Sequence, residues 1–409
     1  MRFANTLTHA VLLICLAALP AEPAAAVPQP GSPQPKTTLV FWHEWPEYQN
    51  FLEEMAARYR LETNIQVNFR LVVSGQDYQR KIQAAAKINS LPDIIGLADN
   101  PALLAFYAKN GKLADLTSPM RADNRAWELA FYPRALNALY FPPSNPYGVR
   151  GDTIWGVPLS AMNIQIFYNR VLFQKAGLNP DQPPQTWEEL MSVCQQLKSA
   201  GIAPLIGGFG DLWVSQTFFR TYAWALLGEA KMRNLFLGET PYLIPECQQV
   251  MNYFAELRNK GCLYPGASTL SNKQAEVLFA GQKAAMIIDG SWAVNVYTQM
   301  DATLDLDVMP FPKLKEARYP MVVIGGLEQG AALSANGKQQ QAALDFLRWL
   351  TAQPQQERWA REPNGFPALL AAQPSINPKL KPFVLGMNEL PPNLFLEERR
   401  DVLETMGKG

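Results

Sequence analysis

The chain has 409 residues, 48% of them hydrophobic, with 36 basic and 36 acidic side chains and so no formal net charge at neutral pH. That length suits two or three domains with a sizeable core, and the even charge balance gives no footing to nucleic-acid binding or to a basic membrane surface. With 33 prolines and 10 tryptophans, the chain has many connections and aromatic side chains to spare for a binding surface.

The first residues read as an export signal. Arg2 supplies a positive charge, residues 10–19 an apolar stretch too short to span a bilayer, and Ala24, Ala25 and Ala26 small residues for cleavage. Residues 1–26 are therefore expected to be removed. Cys15 follows Leu12, Leu13 and Ile14 rather than a run ending in a small residue, so no lipid anchor is expected there. Residues 27–36, rich in Pro, Gln and Ser, read as a disordered leader. Three cysteines remain. Cys247 and Cys262 bracket a helix expected over residues 246–259, whose ends lie roughly 20 Å apart at the helical rise. That is too far for a disulfide. Cys194 sits on an apolar helix face, and all three read as buried thiols.

In chain order, residues 38–42 form a first strand, and Pro46 opens a helix with Phe51, Leu52, Met55 and Tyr59 on one side. Residues 65–73 alternate as a second strand, 77–88 form a helix, and 93–97 form a short third strand. Strands alternating with helices imply a parallel sheet, with sites in the loops beyond the strands' carboxyl ends. His43, Glu44, Trp45, Asp99 and Asn100 fall in such loops. Residues 102–110 are a helix stopped by Gly111, and 114–151 read as irregular. Residues 164–168 look like a buried strand, 171–176 a short helix, and 179–185 a Pro-rich connection. Thr186 caps the next helix and Glu189 completes a capping box, with Trp187, Leu190, Met191, Cys194 and Leu197 on one face. A strand from Pro204 ends in the Gly-rich loop that holds Asp211 and Trp213. Helices follow over residues 214–227, 245–260 and 274–280. A buried strand over residues 284–288 leads into Asp289-Gly290-Ser291-Trp292. Residues 306–311 are extended, and residues 321–324 lead into Gly325-Gly326-Leu327-Glu328. An amphipathic helix spans residues 339–351 and another starts at Pro354.

Enzyme motifs are mostly missing. There is no Gly-x-Ser-x-Gly, no Ser-x-x-Lys, no phosphate-loop Gly-Lys-Ser/Thr, no Gly-x-Gly-x-x-Gly and no Cys-x-x-Cys. Beyond the expected leader the chain has one histidine, His43. A multi-histidine zinc site is excluded, and a Ser-His-Asp triad could use only His43.

As an ordered string, four segments carry a resemblance. They are Trp155-Gly156-Val157-Pro158, Ile166-Phe167-Tyr168-Asn169-Arg170, Leu172-Phe173-Gln174-Lys175-Ala176-Gly177 and Thr186-Trp187-Glu188-Glu189-Leu190. Together they resemble the signature of the extracellular solute-binding proteins of bacterial sugar ABC importers, the carbohydrate-binding family that includes the maltose binders. Gly281 to Trp292, Gly325-Gly326 with Leu333-Ser334, and the stretch from Ala343 to Leu350 with Trp359 and Gly365-Phe366-Pro367 are similar to later elements of that family.

The resemblance implies an α/β, two-lobed periplasmic-binding-protein fold of the type II kind, each lobe a mostly parallel sheet flanked by helices, with hinge strands between. Lobe one would combine residues 37–161 and 312–353; lobe two would take 162–311 and 354–409. Crossings are expected at residues 161–165 and 309–311. Ligand would bind in the cleft and the lobes would close around it. The implied partners are a saccharide or polyol-glycoside and the membrane permease of an ABC transporter, with the protein a monomer outside the cytoplasm, binding no nucleic acid and needing no cofactor or metal.

Sugar recognition calls for flat aromatic faces against the C–H face of a pyranose, and for carboxylates and amides that pair with vicinal hydroxyls. The candidates are Trp45, Trp213 and Trp292 for stacking, and Glu44, Asp99, Asp211, Asp289 and Glu328 for hydroxyls, with His43 and Gly326 beside them. The family often places an Asn or an acid six residues before the Tyr of Tyr-Asn. Met162 stands there in this chain and Asn163 one residue later, which makes Asn163 a candidate by proximity. Two other readings stay open on sequence: a secreted glycosidase or lyase with two carboxyls roughly 5–10 Å apart, and a sensor-coupled version of the same binding fold.

Overall fold

The computed structural model describes residues 34–72, 75–363 and 365–387. The expected export signal, most of the leader and the end of the C-terminal tail lie outside the described residues. The strands are β1 Thr37–His43, β2 Ile65–Leu71, β3 Ile94–Leu97, β4 Tyr140–Phe141, β5 Thr153–Ile154, β6 Val157–Asn169, β7 Leu205–Ile206, β8 Met286–Gly290, β9 Leu306–Met309 and β10 Ile324–Leu333.

Among the described residues, eight strands form one curled sheet in the order β2-β1-β3-β10-β6-β8-β7, with β9 pairing to β6. β1 runs parallel to β2 and β3, and β7 parallel to β8. β10 and β6 run antiparallel to each other and to their outer neighbours. The two long strands knit the halves together. β6 pairs with β10 from Val157 to Ile164, then with β8 from Ile164 to Tyr168. The short strand read from residues 164–168 is thus the far end of a 13-residue strand. Its first half contains Pro158 and small residues, which hid the pattern.

Alternation sets what each strand buries. In β1, Leu39, Phe41 and His43 share one face and are fully buried. Helix Gln49–Thr63 then lays Leu52, Met55 and Tyr59 on the core beneath that face. In the other half, helix Trp187–Ser199 starts at the expected capping box, with Glu189 N donating to Thr186 Oγ1 at 3.3 Å and Thr186 N to Glu189 Oε2 at 3.2 Å. Its apolar face buries Trp187, Leu190, Cys194 and Leu197. Cys194, Cys247 and Cys262 are all buried free thiols, as expected.

Three local differences have clear causes. Residues 114–151, read as irregular, hold helices Thr117–Leu129 and Pro133–Asn137 and the β4-β5 hairpin. The first helix is interrupted at residues 122–125, three of which have positive φ, and that break erases its periodicity. The apolar helix after Asp211 runs on to Phe236 through a break at Gly228, where φ is 70° and the ring of Tyr319 leaves no room for a Cβ. Finally, the chain does not cross at residues 309–311. Lys313 bridges to Thr186, and Arg318 N and Tyr319 N both donate to Ala225 O, so the segment stays with the second half and returns in β10.

The C-terminal part is divided between the halves. Helix Gln353–Arg361, expected in lobe two, buries Trp359 against Tyr48 and Phe51 beside β1. Helix Lys381–Gly386 packs instead on β6, where Phe383 meets Phe167 at 5.4 Å between ring centres.

Candidate ligand-binding cleft

Between the halves lies a cleft of about 670 Å³, within the usual size of small-molecule sites. Its walls come from loops at strand ends and from the long strands themselves. Glu44, Trp45 and Glu47 follow β1, and Asp99 and Asn100 follow β3. Met162 and Ile164 project from β6; Gly325, Glu328 and Gln329 come from β10. The far wall holds Asp211, Trp213, Gln216 and Arg220 at the start of helix Leu212–Phe236, Lys273 on helix Asn272–Ala280, and Trp292 after β8.

Aromatics mark that far wall. Trp213 and Trp292 meet edge to face, ring centres 5.6 Å apart and planes at 71°. Trp292 lies flat over Gly290, where a Cβ would come within 2.0 Å of the ring. A polar network fixes it from behind. Trp292 Nε1 donates to Glu276 Oε1 at 3.4 Å, and Lys273 Nζ pairs with the fully buried Glu276 at 3.0 Å. Asn272 Nδ2 donates to Glu276 at 2.9 Å and to Asp289 at 3.2 Å, and Tyr297 OH to Asp289 at 2.7 Å. Burial, and then the neighbouring Glu276, push the Asp289 carboxyl up to about 8.

The near wall is acidic. Glu328 sits at a register shift between β10 and β6, between Leu327 opposite Ala161 and Gln329 opposite Ser160. Such a bulge turns one extra side chain out of the ladder, here into the cleft. Its Oε1 accepts from Tyr48 OH at 3.1 Å, and burial followed by repulsion from Glu47 pushes its carboxyl up to about 8. Burial also raises Glu47, and burial and Glu47 together raise Glu44. Asp99 is raised by burial, while the nearby guanidinium groups of Arg134 and Arg220 pull it back. The cleft therefore offers several carboxyls beside two cationic side chains, Arg220 and Lys273. That set can bind hydroxyl-rich groups in several orientations.

The structure brings together Glu44, Trp45, Asp99, Asp211, Trp213, Trp292 and Glu328 of the candidates. Two of these also do structural work. Trp45 is only 5% exposed and packs across Gly96 of β3. Asp211 Oδ2 accepts from Asn272 N at 2.7 Å and so holds the next helix in place.

Four candidates are elsewhere. His43 faces the core with Leu39 and Phe41, its Nδ1 accepting from Trp45 N at 3.3 Å; burial holds it down to about 4. Asn163 points to the opposite side of β6 from Met162, donating to Phe383 O at 2.6 Å and accepting from Gln165 at 2.9 Å. Asp289 is fully buried behind Trp292. Gly326, with φ at 151°, lets Arg134 and Asp99 approach, and its neighbour Gly325 lines the cleft instead.

Sequence reasoning passed over Glu47, Gln216, Arg220, Lys273 and Gln329, and it placed Asn100 in a site loop and Met162 at the family position without making either a candidate. One signal was available. Trp213, Gln216, Thr217 and Arg220 recur at helical spacing as a polar stripe on an otherwise apolar helix. Among the described residues, no cluster of three or more His, Cys, Asp or Glu side chains is arranged to hold a metal ion.

The sequence pattern of the bacterial extracellular solute-binding proteins matches residues 44–357. The chain is 24% identical over 293 residues to the multiple sugar-binding protein of Streptococcus mutans, covering 68% of this chain and 66% of that one. It is 22% identical over 350 residues to the sn-glycerol-3-phosphate-binding periplasmic protein UgpB of Shigella flexneri, covering 84% and 76%. The fold superimposes on the maltose/maltodextrin-binding domain MalE of Bdellovibrio bacteriovorus with a TM-score of 0.69, at 20% identity over 90% of this chain and 92% of the other. With its two-lobed architecture and inter-lobe cleft, the chain belongs to the bacterial extracellular solute-binding proteins.

Proposed function

We propose that the protein binds a saccharide or polyol-glycoside in this cleft, outside the cytoplasm, and delivers it to the permease of an ABC importer. The observation that carries the reading is the Trp213–Trp292 pair on the far wall of a cleft ringed by carboxyls and carboxamides. Its aromatic faces suit pyranose C–H faces, and the ring of polar groups suits hydroxyls. The Streptococcus mutans relative is named for sugar binding, and the Bdellovibrio neighbour was solved with maltotriose. The lobes close about β6 and β10, the two strands shared between them. Residues 1–26 direct export and are cleaved, leaving a monomer that carries out no chemistry on its ligand.

A second reading has one observation behind it. Arg220 lines the cleft, and Arg134 approaches Asp99 from behind Gly326, so the Asp99 corner could take a phosphate, as in the glycerol-phosphate-binding relative. The acidic near wall of Glu44, Glu47 and Glu328 opposes a dianion.

The test is a thermal-shift screen against mono- and disaccharides, polyols and sn-glycerol-3-phosphate. A ligand at 100 times its dissociation constant stabilises the folded state by about 2.7 kcal/mol. In a chain of this size that raises the melting point by a few degrees. A sugar response that Trp292→Ala abolishes supports the proposal. A response to glycerol phosphate alone moves the assignment to the second reading, and release of new reducing ends from an oligosaccharide would make the protein an enzyme.

A further inference from the structure

A second cavity of about 700 Å³ lies on the surface of the first half, between helix Gly75–Lys87 and helix Pro101–Lys109. It adjoins the cleft. Asn100, Ala102 and Tyr147 line both, and Asn100 and Glu44 also line a small pocket of about 30 Å³ wedged between them. Either large cavity alone is the size of a whole small-molecule site. The two lie side by side at the corner after β3, so a ligand that leaves the inter-lobe cleft there meets the groove next.

The groove is furnished for a polyhydroxylated chain. On one wall Gln79, Gln83 and Lys87 recur every four residues and form a single stripe. On the other, Phe106 leaves half its surface in water, 51% exposed, although it is a large apolar ring. Set on the rim of the groove, that ring offers an apolar face to a sugar lying in it. The mouth is held in place as well. Lys109 Nζ donates to Tyr147 O at 2.9 Å, pinning the loop that carries the shared Tyr147. Carboxamides in series opposite an aromatic face repeat, along a groove, the equipment of the cleft itself.

We infer that the ligand is an oligosaccharide longer than a disaccharide, one end seated in the cleft and the rest lying in the groove between helices Gly75–Lys87 and Pro101–Lys109. This rests on the saccharide reading of the cleft. The experiment is calorimetric titration of the purified protein with two series of increasing length, maltose to maltohexaose and xylobiose to xylohexaose. In the series that binds, affinity should rise at least tenfold from the dimer to the tetramer or beyond. The double variant Gln83→Ala/Phe106→Ala should bring the long sugars back to the dimer's affinity and leave the dimer's unchanged. Affinity independent of length overturns the inference while leaving the saccharide reading intact. So does a length dependence that the double variant does not touch. Loss of transport in cells with every sugar affinity unchanged would assign the groove to a partner protein instead. If neither series binds while glycerol phosphate does, the inference falls together with the saccharide reading.

Discussion

Replacing Glu328 by Gln should stabilise the protein, and more so as pH rises. In the folded protein this carboxyl is pushed from its ordinary 4.5 up to about 8, first by burial and then by repulsion from Glu47. An acid whose folded pKa is raised holds its proton more tightly in the folded state than in the unfolded chain. Between pH 4.5 and 8 the unfolded state then binds fewer protons, and stability falls as pH rises. At pH 8 the full shift corresponds to a ceiling of about 4 kcal/mol, against about 1 kcal/mol at pH 5. Solvent in the cleft screens part of this, so a difference of about 1–3 kcal/mol at pH 8 is the expected size. Gln keeps the oxygen that accepts from Tyr48 OH and cannot ionise. Thermal melts of both proteins at pH 5, 6, 7 and 8 measure it. The variant should melt close to wild type at pH 5 and several degrees higher at pH 8. Parallel curves, with the same gap at every pH, would refute the reasoning, because Glu328 would then titrate like an exposed carboxylate.

Three further outcomes follow from the same geometry. Trp213→Ala removes the edge partner of Trp292 and one wall of the aromatic corner, and should weaken a sugar ligand by about 10- to 100-fold in calorimetry, in line with loss of a buried aromatic anchor. Asn163→Ala should leave ligand affinity unchanged, cost about 1–3 kcal/mol of stability and speed proteolysis near Phe383, since it breaks the bond to the Phe383 carbonyl; a selective loss of affinity would return Asn163 to the site. His43, held down to about 4 by burial, must charge on unfolding in acid, so stability is lost as pH falls from 6.5 through 4; His43→Asn should flatten that arm of the melting curve while lowering its overall height.

Much of the molecule was legible because local chemistry and tertiary placement agree. The Thr186 box starts its helix where expected, the strand–helix alternation places Glu44, Asp99 and Trp292 at strand ends, and all three thiols are buried. The second crossing was not legible, because residues 310–323 carry no periodicity, and what holds them to the second half is tertiary: backbone bonds to Ala225 and Gln185, burial of Phe311 and Leu314 in that half's core, and side-chain bonds of Glu316 with Tyr253 and of Arg318 with Glu246. Glu328 was legible as a candidate, but not the bulge that aims it. A register shift is a property of two strands, and neither sequence contains it.

Three of the four candidates found outside the cleft share one cause, and it could have been applied in advance. His43, Asn163 and Asp289 were chosen for their residue type near a strand end, without asking which face of the strand they occupy. A strand sends successive side chains to opposite faces. Leu39 and Phe41 are core residues four and two places before His43, so His43 must share their side, and the first residue free to turn toward the cleft is Glu44. On β6, Met162 and Ile164 face the cleft, so Asn163 and Gln165 face away and hold Phe383 and Pro382 by their carbonyls. The departure from the family pattern at Met162 thus has a physical consequence. The position that faces the cleft carries a flexible apolar thioether, and the amide next to it cannot substitute without a one-residue slip of the whole strand. The part of the cleft floor that β6 supplies is therefore apolar, and the cleft's polar groups come from the loops after β1 and β3, from Glu328 and Gln329 of β10, and from Asp211, Gln216, Arg220 and Lys273 of the far wall.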